Sequence, residues 1–104
     1  MPDIQSEMLR AAGCFMDGRY TDALKIYKKL AKEGSSRAMF NVAYCTQYGY
    51  GTEANGKEAF ELYTRLLHTE EGDAAYNAAA MLLTGRGVPV DLERGITYMK
   101  QAVR

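Results

Sequence analysis

The sequence has 104 residues, and its 13 lysines and arginines are balanced by 13 aspartates and glutamates. This length suffices for one domain with a modest core and is too short for two. A nucleic-acid-binding protein normally carries a basic surplus or a basic stripe. The neutral balance therefore argues against nucleic acid as the main partner.

The N-terminal segment MPDIQSEMLR has an acidic residue at position 3 and no apolar core, so a secretory signal is not expected. No apolar run approaches the roughly 18 residues that a membrane span requires. The two cysteines, Cys14 and Cys45, are too few for a disulfide scaffold or a four-thiolate metal site. Each lies on an apolar stripe, where a cysteine usually packs as a small hydrophobic residue. We therefore expect a cytoplasmic protein without a membrane span, a metal or a cofactor.

The helical spacing of apolar residues predicts six helices, and no segment shows the alternation of a strand. They span residues 3–17, 20–33, 36–48, 56–69, 73–84 and 91–103. Asn55 and Asp91 are placed to cap the fourth and sixth helices, because their side-chain oxygens can accept hydrogen bonds from unpaired backbone N–H groups. Glycines at predicted helix ends can adopt the left-handed conformation that terminates a helix; they are Gly18, Gly34, Gly49, Gly72 and Gly85. The sequence therefore predicts an all-α fold.

The sequence repeats with an offset of 36 residues, which is the separation of Ala38 and Ala74 (74 minus 38). Residues 37–68 align with residues 73–104 without a gap. The same offset aligns DALKIYKKLAK near the start of the chain with EAFELYTRLLH. A period of this length indicates a solenoid, in which each unit buries its apolar face against its neighbours. We expect one domain over residues 1–104, with units at about 3–34, 36–70 and 73–104.

The segments AMFNVAYCTQYGYGTEANGKEAFELYTRLL and AAYNAAAMLLTGRGVPVDLERGITYMKQA resemble Sel1-like repeats. The most specific part is the G-x-G-V-P-x-D segment at 85–91, whereas Thr46 and Leu82 replace the usual aromatic residue and Gly95 replaces the usual alanine. The first unit, GRYTDALKIYKKL, resembles the related tetratricopeptide repeat. The resemblance implies a right-handed superhelical solenoid of about three helix-turn-helix repeats. It also implies a non-enzymatic scaffold or adaptor that binds other proteins.

In superhelices of this class, the first helix of each unit lines a concave face. Aligning Ala11, Ala43 and Ala79 then predicts which residues point into this groove. The predicted partner-binding residues are Met8, Phe15, Arg37, Phe40, Tyr44, Gln47, Tyr48, Tyr76 and Leu83. Such an apolar and aromatic set favours a protein or peptide partner, because tyrosine supplies large contact area at low entropic cost.

Two interpretations of the groove residues stay open at this point. Phe15 and Phe40 fit the core as well as they fit the groove, whereas exposure is favoured for Tyr44 and Tyr48. Only Arg37 is available to hold an acidic peptide tail, so we expect an apolar helix or an extended apolar segment as the ligand.

Self-assembly is the alternative function. The last predicted helix presents Ile96, Met99 and Val103 on one side, and a solenoid end without a polar cap exposes apolar surface. A copy of the same chain is the simplest partner for this face, giving a homodimer without a groove ligand.

A small hydrolase that uses Cys45 or His68 is a third, less favoured interpretation. No further group is indicated to orient the histidine. The two G-x-G segments lack the lysine and hydroxyl residue of a phosphate-binding loop, and neither follows a strand. The sequence thus contains no recognisable catalytic site.

Overall fold

The computed structural model describes residues 3–104, which form six helices and no strand. The helices are α1 (Ile4–Met16), α2 (Tyr20–Lys32), α3 (Ser36–Tyr48), α4 (Gly56–Arg65), α5 (Gly72–Thr84) and α6 (Leu92–Ala102). Each helix packs against the next one in the chain, which gives an elongated array of three helix pairs measuring 44 × 27 × 20 Å. The predicted all-α solenoid is confirmed. Every helix within residues 3–104 is too short or too polar to traverse a lipid bilayer.

Four helices begin with a side-chain cap. The side-chain oxygens of Asp3, Ser35, Asn55 and Asp91 each accept a hydrogen bond from the backbone N–H three residues later. This contact satisfies one of the backbone donors that a helix leaves unpaired at its start. The predicted caps at Asn55 and Asp91 are confirmed.

The turn between α4 and α5 differs from the prediction. The helix α4 ends at Arg65 rather than at residue 69. The hydroxyl of Thr69 donates to the Leu66 carbonyl at 2.6 Å and accepts from the Glu71 N–H at 3.2 Å, so these residues close into turns. Gly72 was predicted to be a left-handed helix terminator, but it is the first residue of α5.

The other predicted glycine terminators have positive φ angles, and a second glycine in each long connector serves a different purpose. Gly49 and Gly85 end α3 and α5 in the left-handed conformation. A Cβ on Gly51 would lie 2.6 Å from the Tyr20 carbonyl oxygen, and one on Gly87 would lie 2.7 Å from Cα of Gly56. The G-x-G segment therefore ends one helix and then contacts the start of the second helix of the preceding unit.

The buried residues form two clusters that share α3. The first cluster joins α1, α2 and α3, and the second joins α3, α4 and α5. Val42 and Cys45 belong to the first cluster, whereas Phe40 and Ala43 belong to the second. Because one helix supplies apolar surface in two directions, neighbouring units depend on each other for burial, as expected for a solenoid.

Candidate functional site

The first helices of the three units, α1, α3 and α5, form one surface of the array, which we call the inner surface. Two hollows lie on it. The first hollow, between α1 and α3, has a volume of 200 Å³ and is lined by Phe15, Tyr27, Phe40, Asn41, Tyr44 and Cys45. The second hollow, between α3 and α5, has a volume of 220 Å³ and is lined by Gln47, Tyr48, Tyr76, Asn77, Ala80, Met81, Thr84 and Arg86.

A cluster of five aromatic rings borders both hollows; it consists of Phe15, Tyr20, Tyr44, Tyr48 and Tyr50. The Phe15 ring centroid lies 5.0 Å from those of Tyr20 and Tyr50, with edge-to-face geometry. Tyr44 and Tyr50 stack at 6.0 Å, and Tyr44 lies 4.9 Å from Tyr48. Pairs at these separations stabilise each other beyond their buried area. The cluster therefore holds its tyrosines in a fixed arrangement next to the hollows.

Tyr48 of α3 and Tyr76 of α5 both line the second hollow and are the most exposed tyrosines of the inner surface. Their side chains are 51% and 54% exposed, respectively. Tyrosine combines an apolar ring with a polar tip, which is why it is enriched where proteins bind each other. These two rings are thus available for contact with another molecule.

Tyr44 contributes a neutral hydroxyl at the border of the two hollows. Burial raises the pKa of Tyr44 above 10.0, and the neighbouring tyrosines Tyr50 and Tyr48 raise it further. Its hydroxyl consequently stays protonated at neutral pH and acts as a hydrogen-bond donor or acceptor.

Each hollow also contains one asparagine at the same position of the repeat. Asn41 lines the first hollow and Asn77 the second, 36 residues later (77 minus 41). Both side chains are half-buried. An amide side chain offers both donors and an acceptor, so it can pair with the N–H and C=O groups of a bound backbone.

Two of the predicted groove residues make their main contacts inside the protein. Phe40 is only 9% exposed, because it packs in the second core cluster with its ring 5.8 Å from that of Tyr63. It forms the floor of the first hollow. Leu83 is directed at α6, where its side chain occupies the space that a Cβ on Gly95 would need. Leu83 therefore joins the two helices of the third unit instead of facing the groove.

Two predicted polar contacts already have partners within the chain. The Arg37 guanidinium lies 3.2 Å from a carboxylate oxygen of Glu71 and 3.8 Å from one of Asp73, linking the starts of α3 and α5. The Gln47 side-chain oxygen accepts a hydrogen bond from the Tyr63 hydroxyl at 2.8 Å. Arg37 thus has its charge balanced, and Gln47 serves mainly to pair a buried phenol.

The remaining predicted groove residue, Met8, is half-buried and packs with Phe15 against the first core cluster. At the other end of the chain, the predicted self-association residues lie on α6 and after it. Ile96 and Val103 are exposed, and Met99 is half-buried.

Sequence reasoning missed five residues as parts of the site: Tyr20, Asn41, Tyr50, Asn77 and Arg86. Tyr50 occupies the middle position of the first G-x-G segment, and Arg86 occupies the same position in the second. A bulky residue between two glycines was the available signal, since the glycines fix the direction in which that side chain leaves the loop.

Comparison with known proteins agrees with this architecture. The family model of the Sel1 repeat matches residues 36–66 and 72–104, which is more than half of the chain. The chain belongs to the Sel1 repeat family. The crystal structure of a Sel1 repeat protein from Oxalobacter formigenes superimposes with a TM-score of 0.82 at 24% sequence identity. That match covers 92% of this chain and 39% of the Oxalobacter protein. No curated protein matches the sequence.

Sel1 repeat proteins are generally protein-interaction scaffolds.

Cys45 and His68, the two residues considered for a hydrolase, lie in different environments. The Cys45 side chain is 2% exposed, and burial raises the pKa of its thiol above 9.0. A nucleophilic cysteine needs an accessible thiolate, which Cys45 does not provide. His68 is exposed in the turn after α4. Among residues 3–104, no group of three or more His, Cys, Asp or Glu side chains is placed to hold a metal ion.

Another cavity of this Sel1 repeat chain lies away from the inner surface. It has a volume of 510 Å³ and is bounded by the start of α4, the connector 87–91 and the start of α6. The Arg94 guanidinium lies over the rings of Phe60 and Tyr98, at 5.7 and 5.5 Å from their centroids, and donates to the Tyr98 hydroxyl at 3.0 Å. The arginine thus braces α6 against α4 beside this cavity.

Proposed function

We propose that this Sel1 repeat chain is a non-enzymatic adaptor that binds a protein or peptide partner through its inner surface. One observation carries the proposal: Tyr48 and Tyr76 are exposed and both line a hollow whose border is a packed aromatic cluster. The scaffold role that is general in the family supports the same function.

The chemistry of the inner surface favours an apolar segment with a free backbone. The tyrosine rings offer apolar contact, and Asn41 and Asn77 offer paired donors and acceptors at the same position of successive units. An acidic tail is a poorer ligand, because the Arg37 charge is already balanced by Glu71 and Asp73. The predicted cytoplasmic location rests on the sequence alone and stays a prediction.

The test compares three purified baits in a pull-down from native lysate. They are the wild type, a Tyr48→Ala/Tyr76→Ala double variant, and a control variant, Lys28→Ala/Val90→Ala. The control removes two exposed side chains, one on α2 and one in the connector between α5 and α6, which line neither hollow. The partner should be retained by the wild type and the control and lost by the double variant.

The retained protein is then purified and titrated into each bait by calorimetry. We expect the double variant to raise Kd at least about tenfold, since exposed tyrosines at interface centres commonly contribute this much. Equal affinity of the wild type and the double variant for every retained protein would contradict binding through the inner surface.

A further inference from the structure

The helix α6 presents an apolar stripe to solvent, formed by Leu92, Ile96, Met99 and Val103. Leu92, Ile96 and Val103 are 59%, 50% and 74% exposed, and Met99 is half-buried. Their spacings of four, three and four residues place them on one face of a helix, because each residue advances by about 100°. The adjoining side of α6 packs against α5 through Gly95.

The repeat itself shows that this face is normally covered. Leu24 and Tyr27 of α2 occupy the positions of Ile96 and Met99, two periods of 36 residues earlier. Leu24 is 4% exposed and Tyr27 is buried, because both lie in the core cluster that α2 forms with α1 and α3. Tyr63 of α4, one period before Met99, is likewise fully buried in the cluster shared with α5.

The other end of the array does not complement the stripe. Ala38, Val42 and Cys45 are the α3 residues that pack against α2 in the first cluster. The matching α1 positions, 32 residues earlier by the alignment of Ala11 with Ala43, are Ser6, Arg10 and Gly13. None of these three positions carries a large apolar side chain, so head-to-tail stacking of two copies would bury Arg10 against the apolar stripe, at a cost in desolvation.

The stripe is instead complementary to itself. Its spacing reads the same in both directions, so an antiparallel copy of α6 brings Leu92 opposite Val103 of the partner subunit and Ile96 opposite Met99 of the partner subunit. The charged residues are compatible with the same antiparallel arrangement, because the acidic Glu93 lies in the first turn of α6 and the basic Lys100 in the last. Antiparallel packing therefore sets each Glu93 near Lys100 of the partner subunit.

We propose that a second copy of this chain covers the stripe through an antiparallel α6–α6 contact. The resulting dimer is isologous, so each subunit uses the same patch and the assembly closes at two copies. The contact is separate from the proposed binding function, because α6 lines neither hollow of the inner surface.

The first test measures the molar mass of the full chain by sedimentation equilibrium over a concentration series. We expect a monomer–dimer equilibrium for the wild type. Ile96→Asp should raise the dissociation constant at least about 100-fold, because each dimer then buries two unpaired charges. The matched control is Leu9→Asp, which places the same charge at an exposed apolar position of α1 and should leave the equilibrium unchanged.

Charge reversal tests the antiparallel register without touching the apolar residues. Glu93→Lys and Lys100→Glu should each weaken the dimer, and the chain carrying both should recover much of the wild-type affinity. Circular dichroism verifies that every variant stays helical. A wild-type monomer at the highest soluble concentration, or a dimer that neither Ile96→Asp nor the charge reversals weaken, would overturn the proposal.

Discussion

At the scale of single residues, four tyrosines of this chain show how differently one residue type is used. Tyr48 and Tyr76 are exposed on the inner surface, whereas Tyr27 and Tyr63 are buried in the two core clusters. Burial raises the pKa of Tyr27 and of Tyr63 above 10.0. The Tyr63 hydroxyl keeps a hydrogen-bond partner in the core by donating to Gln47. One residue type therefore occurs both in the core and on the exposed inner surface, according to its position in the repeat.

Because the pKa of Tyr63 is raised in the folded state, we expect the free energy of unfolding to fall at alkaline pH. The native state keeps the phenolic proton above pH 10, where the unfolded chain loses it. The stabilisation is therefore fully present below the unfolded pKa and is lost as pH rises above it. We expect the free energy of unfolding, measured by urea titration, to fall steadily between about pH 10 and 11.

The Tyr63→Phe variant separates the two contributions of this residue. At pH 7 it should lose about 1 kcal/mol, the net value of the hydrogen bond to Gln47. Its stability should also fall less steeply than that of the wild type above pH 10. Parallel pH profiles for the two proteins would show that Tyr63 does not titrate as described.

At the scale of structural elements, the connectors explain why two glycines recur one residue apart. The first glycine, at 49 or 85, ends a helix in the left-handed conformation. The second, at 51 or 87, leaves room for the backbone of the preceding unit. The G-x-G segment is therefore an inter-unit contact as well as a turn, and no phosphate is required to explain it.

The Gly87→Ala substitution tests this contact against a matched control. The new Cβ would lie 2.7 Å from Cα of Gly56, in addition to the strain of a φ of +78°. Gly18→Ala imposes a similar φ of +80° with no atom within 4 Å of the new Cβ. The control should cost about 1–2 kcal/mol of unfolding free energy for the backbone strain alone, and Gly87→Ala should cost clearly more. Equal losses in urea unfolding would mean that the close approach to Gly56 is unimportant.

Helix positions and caps followed from the sequence, whereas the direction of several side chains did not. Asn55 and Asp91 were predictable because capping depends on local chemistry. Phe40 and Tyr76 occupy the same position of the repeat, yet the first is buried and the second exposed. Phe40 is buried because residues of α4 and α5 pack around it in the second core cluster. A single sequence does not show such differences between units.

Leu83 illustrates the same limit within one helix. Alignment of the repeats gives it the position of Gln47, but Gly95 replaces the alanine of the earlier units and leaves space that Leu83 fills. Its direction thus depends on a substitution in the neighbouring helix. Periodicity predicts which face a residue belongs to, and neighbouring side-chain volumes decide whether it is exposed.

At the scale of the whole molecule, the two contacts that we propose with other chains use two distinct surfaces of the array. The inner surface combines exposed tyrosines with two hollows, and α6 carries the self-complementary stripe at the end of the array. Because the two surfaces lie on different helices, a dimer formed through α6 would keep both inner surfaces available. The proposed adaptor would then present two binding sites for its partner and gain avidity from their linkage.

The measurement that tests the central claim most directly is site-specific photo-crosslinking in native lysate. The residue Tyr48 is replaced by p-benzoylphenylalanine, and in a control protein the same substitution is made at Lys28, an exposed residue of α2 that lines neither hollow. A discrete adduct of this chain with another protein, formed from position 48 and absent from position 28, is the predicted result. Adducts that are the same from both positions, or none from position 48, would contradict a partner on the inner surface.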